Sequence, residues 1–87
     1  MPRPYEVLIE RGAERDLEIL PAEQFQRIIA RINALREDPR PSGCRKISGS
    51  FHDWRLRVGP YRVVYEVDDT ARTVTIIKVR LRHAAYR

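Results

Sequence analysis

The stretch from Trp54 to Val67 constrains the fold more than any other part of the chain. Trp54, Leu56 and Val58 alternate with Arg55 and Arg57, and Tyr61, Val63, Tyr65 and Val67 alternate with Arg62, Val64 and Glu66. A period of two marks a β-strand with one buried face. Gly59-Pro60 between the runs marks a tight turn. The stretch therefore reads as an antiparallel hairpin, apolar on one face and basic on the other, and its apolar face needs a cover.

The cover lies upstream. Phe25, Ile28, Ile29, Ile32 and Leu35 recur at helical spacing, with Arg27, Arg31 and Arg36 turned away. This helix should stop near Asp38, because Pro39 disfavours helix at the residue before it. Ala13, Leu17 and Leu20 predict a shorter helix, with Glu14, Arg15, Asp16 and Glu18 on its outer face. Pro21 cannot continue that helix but suits the first turn of the next. Before both, Tyr5, Val7 and Ile9 alternate with Glu6, Leu8 and Glu10 as a strand does, until Gly12 breaks the pattern.

After the helices, Arg40-Pro41-Ser42-Gly43 reads as a loop, Cys44 to Ser48 as a short extended piece, and Gly49-Ser50 as a turn. Asp68 to Arg72 forms another turn. A last strand runs from Thr73 to about Val79, with Ile77, Val79 and Leu81 on one side and Lys78, Arg80 and Arg82 on the other. The expected fold is α+β: an N-terminal strand, a helical hairpin, then an antiparallel meander sheet with one open basic face. No repeat or linker interrupts it, so residues 1–87 are read as a single domain.

A chain this short buries only roughly 60% of its unfolded surface, which favours chemistry on a groove or sheet face over a deep cofactor cavity. A hydrophobic share of 43% and a charged share of 33% fit a soluble globular protein. The N-terminus shows no secretion signal, and no apolar run approaches the ~20 residues that span a bilayer. The lone Cys44 forms no internal disulfide. These features make the cytoplasm the expected location, with no membrane partner.

The net charge of +5 is unevenly placed. Residues 1–43 hold 7 Arg against 8 acids, whereas residues 44–87 hold 10 Lys or Arg against 4 acids. An Arg-rich genome accounts for the total but not for this asymmetry. Arginine grips phosphate with a planar, permanently charged fork, so a polyanion, most simply nucleic acid, is the expected partner.

The sheet's open face is where that charge converges. Arg55 and Arg57 sit two residues apart on one strand, the hairpin brings Arg62 beside them, and the last strand adds Lys78, Arg80 and Arg82. A solvated sheet face explains such alternation too, but leaves the mutual repulsion unrewarded. A phosphate would reward it. Trp54 and Tyr65 read as core aromatics, His52 as a surface residue and Asp53 as a turn residue. With only His52, His83 and Cys44 available, no metal-ligand cluster is expected.

The run Asp53-Trp54-Arg55-Leu56-Arg57-Val58-Gly59-Pro60-Tyr61-Arg62-Val63-Val64-Tyr65-Glu66-Val67 resembles the central hairpin of the RelE/ParE toxin superfamily. The ending Val79-Arg80-Leu81-Arg82-His83-Ala84-Ala85-Tyr86-Arg87 resembles that family's closing segment. The resemblance covers nearly the whole chain and implies a RelE-like fold.

The resemblance also implies a toxin of a type II toxin–antitoxin pair, neutralised by a RelB-like antitoxin. RelE-like members enter the ribosomal A site and cleave mRNA without metal or other cofactor, by attack of a 2′-hydroxyl on its own phosphate. Carried over by position, Arg55, Arg57, Arg62, Arg82 and Tyr86 match the functional set. Lys46, Lys78 and Arg80 join Arg55 as expected RNA contacts.

The sequence departs from the family at Arg55 and Arg57, where relatives often carry Lys, and at Leu81, where many carry His. A guanidinium does not serve as a base, which leaves His83 as the nearest group suited to proton transfer. Two other readings stay open. ParE-like members poison DNA gyrase without cutting RNA, and a member that has lost its chemistry would bind ribosomes or nucleic acid without cleavage.

Overall fold

Pro21 decides how the helices meet. The computed structural model describes residues 4–50 and 52–82, and in it α1 (Arg11–Glu18) ends before Pro21, which sits extended at the N-cap of α2 (Ala22–Ala34). The apolar stripe of each helix turns the same way: Ala13 and Leu17 of α1 and Ile28 and Ile32 of α2 are buried. α2 ends at Ala34 rather than near Asp38. Leu35, Arg36 and Glu37 continue as a tighter turn whose amides donate to Ile32, Asn33 and Ala34. That turn buries Leu35, and the carbonyl of Arg36 accepts from the amide of Tyr5 at 2.9 Å, tying it to the first strand.

The strands are β1 (Glu6–Ile9), β2 (Arg45–Lys46), β3 (Asp53–Val58), β4 (Tyr61–Asp68) and β5 (Thr73–Leu81). They form one sheet in the order β1-β5-β4-β3-β2. As expected, β3, β4 and β5 form an antiparallel meander, and β2 extends it beside β3. β1 pairs with β5 in parallel, so the complete sheet is mixed. Parallel pairing needs a crossover connection, and the helices supply its first part. Leu56, Val58, Val63, Tyr65, Val67, Val74, Ile76 and Val79 face them as the inner layer of the core.

β5 does not alternate as its sequence implies. Val64 pairs with Lys78 but Tyr65 pairs with Ile76, so Ile77 is an extra residue in a β-bulge. Ile76 therefore takes the inward position, fully buried, and Ile77 is half-buried. Beyond the bulge, Val79 faces the core while Lys78 and Arg80 lie in register with Val64 and Arg62.

The end of the sheet away from the β3–β4 turn is held by polar contacts. Asp69, in the β4–β5 turn, accepts from the hydroxyl of Tyr5 and from Arg40 at 2.8 and 3.2 Å. The Arg40 guanidinium lies 5.2 Å from the Trp54 ring centre, and that of Arg72 lies 4.1 Å from the ring centre of Tyr5. Tyr65, its hydroxyl pKa pushed up by burial, donates to the carbonyl of Pro39 at 2.9 Å. These contacts join β1, the loop after α2 and the β4–β5 turn. No helix among the described residues is long and apolar enough to cross a membrane.

The Arg40 and Tyr5 hydrogen bonds hold the Asp69 carboxyl down to about 2, against an ordinary 3.8. A carboxyl lowered on folding adds stability above its unfolded pKa and loses it as pH falls through its folded one. The wild type is expected to lose this contribution between pH 3.8 and about 2. Asp69→Asn should already be less stable at neutral pH, with a shallower acid loss in that window. Melting curves of both proteins from pH 7 to pH 2 check this; parallel acid profiles would refute it.

Candidate nucleic-acid interface

Cross-strand register decides which side chains share a face, because residues directly opposite in an antiparallel pair point the same way. Arg57 lies opposite Arg62, and Arg62 lies opposite Arg80. One step along the strands, Arg45 lies opposite Arg55, Arg55 opposite Val64, and Val64 opposite Lys78. Six basic residues thus occupy two adjacent rows on the face away from the helices. The next row reverses sign, with Asp53 opposite Glu66 and Glu66 opposite Thr75.

The turn of the hairpin fixes the first row. Gly59 adopts a positive φ of 59°, a conformation that favours glycine, and Val58 pairs with Tyr61 across the turn. A Cβ at Gly59 would also meet the guanidinium of Arg27, 3.6 Å away. Arg27, expected to turn away from the core side, thus reaches the turn itself.

The basic residues differ in exposure. Arg57 is exposed and Arg55 half-buried, but Arg62, on the middle strand between Arg57 and Arg80, is only 3% exposed. Arg62 is therefore the floor of the row rather than one of its exposed ends. Arg80 reaches sideways to Asp16 of α1, its Nε 3.2 Å from the carboxylate. Asp16 also accepts from the amide of Val79 at 2.9 Å, where β5 has run past its last pairing with β1. Asp16 thus corrects the expectation of an outward-facing acid: it satisfies an open strand edge and holds Arg80.

Lys46 is a second correction. It lies opposite Trp54, which packs against the core, so it belongs to the helix-side face and not with Arg55. Its neighbour Arg45 takes the expected place. A strand of two residues has no period to read, so no sequence signal distinguished them. Lys78 and Arg80 occupy the expected face. Arg82 follows β5 exposed, its amide donating to the carbonyl of Pro60 at 2.8 Å. His83 and Tyr86 lie outside the described residues.

Chemically, this face opposes like charges at Arg57–Arg62, Arg62–Arg80 and Arg45–Arg55, an arrangement that destabilises a sheet. Fixed guanidiniums at such spacing suit the non-bridging oxygens of a phosphodiester. Ile19, Leu20, Tyr61, Val79 and Leu81, together with Asp16 and Arg80, line an open, mostly apolar groove of about 290 Å³.

Residues 7–86 match the family model described as ParE toxin of type II toxin–antitoxin system, parDE. Toxin RelE of Mycobacterium tuberculosis is 36% identical over 87 residues, covering 97% of this chain and 88% of the relative. Toxin RelG of the same organism is 33% identical over 88 residues, covering 97% and 98%. Among solved structures, the archaeal RelE–RelB complex from Pyrococcus horikoshii OT3 superposes with a TM-score of 0.82 at 27% identity, covering 91% of this chain and 96% of that one. Matches of this extent leave one assignment: the chain belongs to the RelE/ParE superfamily of toxins from type II toxin–antitoxin systems.

Proposed function

We propose that this chain is a RelE-like endoribonuclease that cuts mRNA, in the ribosomal A site, and is held inactive by a RelB-like antitoxin. The observation that carries the reading is the row Arg57–Arg62–Arg80 on the face away from the helices, joined to Arg45, Arg55 and Lys78 in the next row.

In the proposed reaction the 2′-oxygen forms a bond to the neighbouring phosphorus and the bond to the 5′-oxygen breaks. The products are a 2′,3′-cyclic phosphate and a 5′-hydroxyl. One proton leaves the 2′-hydroxyl and one arrives on the departing 5′-oxygen, so no oxidant, metal or water is consumed. Arg57 and Arg62 stabilise the charge that builds on the non-bridging oxygens. Arg82 acts near the leaving oxygen, Tyr86 stacks on a base or orients the attacking hydroxyl, and His83 takes the proton. Arg55 and Lys78 hold the flanking backbone, and Arg80 contributes from its ion pair with Asp16.

The antitoxin reading draws on relatives solved as complexes, among them the Pyrococcus horikoshii RelE–RelB pair. A segment with acidic and apolar side chains would offset the guanidinium rows and cover the exposed Ile19 and Leu81.

The test is purified protein incubated with ribosomes programmed with mRNA, followed by mapping of transcript ends. Cuts ending in a cyclic phosphate and a 5′-hydroxyl are expected, undiminished by a chelator and abolished by the antitoxin. The matching family model is described as ParE toxin, which favours one other reading: a ParE-like toxin that inhibits DNA gyrase. Loss of supercoiling activity with intact transcripts would establish it instead, and ribosome binding without either effect would mark a non-catalytic binding module.

A further inference from the structure

We propose that Arg45, together with Arg55, forms an outer phosphate subsite, and that bound RNA runs across the strands toward the β2 edge rather than along them. This rests on the nuclease reading above and adds to it the path of the substrate.

Four observations converge on that path. Arg45 and Arg55 are directly opposite on the same face, their Cβ atoms about 4.5–5.5 Å apart, close enough for both guanidiniums to reach one phosphate. Among the described residues the ion pairs are Arg40–Asp69 and Arg80–Asp16, and neither Arg45 nor Arg55 enters them. Movement along the strands away from the Gly59-Pro60 turn meets acid, because the adjoining row presents Asp53 and Glu66. Movement past β5 meets Asp16, which already holds Arg80. The β2 side is the one that continues in positive charge.

Neighbouring strands lie about 4.8 Å apart. Arg45 on β2 is two strands across and two residues along from Arg62 on β4, roughly 12 Å, which places it on the flanking backbone rather than at the scissile phosphate. Its contact would exist equally in ground state and transition state. Such a contact changes substrate affinity and leaves the chemical step untouched.

The experiment compares Arg45→Ala, Arg45→Glu and Lys46→Ala with the wild type. Cleavage kinetics are read on programmed ribosomes, and binding is read on the same message blocked by a 2′-O-methyl group at the cut position. Arg45→Ala is expected to raise KM and Kd about tenfold with kcat unchanged, and Arg45→Glu to raise them further. The salt dependence of binding should fall by about one phosphate contact for Arg45→Ala. Lys46→Ala, on the other face, should match the wild type.

Wild-type affinity and salt slope in both folded Arg45 variants would overturn the subsite while leaving the nuclease reading intact. An equal loss in Lys46→Ala would overturn the facing argument and the subsite with it. Failure of the wild type to cut or bind any message would instead remove the nuclease reading.

Discussion

Replacing Arg57 with alanine is expected to slow RNA cleavage about 10²- to 10³-fold while the protein remains folded. Arg57 is the exposed member of the row Arg57–Arg62–Arg80, placed opposite Arg62 by the Gly59-Pro60 turn. A donor aimed at charge that develops only in the transition state lowers kcat when lost, with little change in KM. Arg57 is exposed, so truncation removes little buried surface and the variant should remain folded.

Arg62 is a different case. At 3% exposure it fills space as well as carrying charge, so Arg62→Ala would confound lost catalysis with lost packing. Arg62→Lys keeps the charge but removes the planar fork, and it separates the two effects. We expect it to cut slowly and melt near the wild type. Arg80→Ala should cost less activity, because its guanidinium is shared with Asp16. Single-turnover rates and thermal melts on the three variants give the ordering. A folded Arg57→Ala protein that cuts at the wild-type rate would remove the row from the mechanism.

The parts of this fold that were readable were the parts with a long period. The stripe Ile28–Ile32–Leu35 and the alternation from Trp54 to Val67 each repeat often enough to set both element and face, and the face carrying Arg55, Arg57 and Arg62 followed from them. What escaped the sequence depends on contacts between distant segments. β1 could be recognised as a strand, but its parallel place beside β5 is set by the crossover through the helices. Asp16 looked like any outer-face helix acid; it is fixed by the unpaired edge of β5, more than sixty residues away in the chain. Arg45 and Lys46 exchanged roles because a two-residue strand takes its facing from its partner β3. The burial of Arg62 is likewise hidden from alternation, since Val64, on the same face of the same strand, is only half-buried.

The bulge in β5 makes the sharpest stability prediction. Strict alternation groups Ile77 with Val79 and Leu81 as inward residues. The observed register instead pairs Tyr65 with Ile76 and leaves Ile77 unpaired. Ile76 is completely buried against the helices, whereas Ile77 is half-buried. Ile76→Ala should therefore destabilise the protein by about 2–5 kcal/mol, through lost burial and an unfilled cavity. At roughly 4–8 °C per kcal/mol for a domain of this size, the melting temperature falls by at least about 8 °C. Ile77→Ala removes the same atoms from a partly solvated site and should cost clearly less. Denaturant or thermal unfolding of the pair decides between the two registers, because strict alternation predicts the opposite ranking. If Ile77→Ala proved the more damaging, Lys78 and Arg80 would lose their placement beside Val64 and Arg62. The β5 side of the basic face would then have to be redrawn.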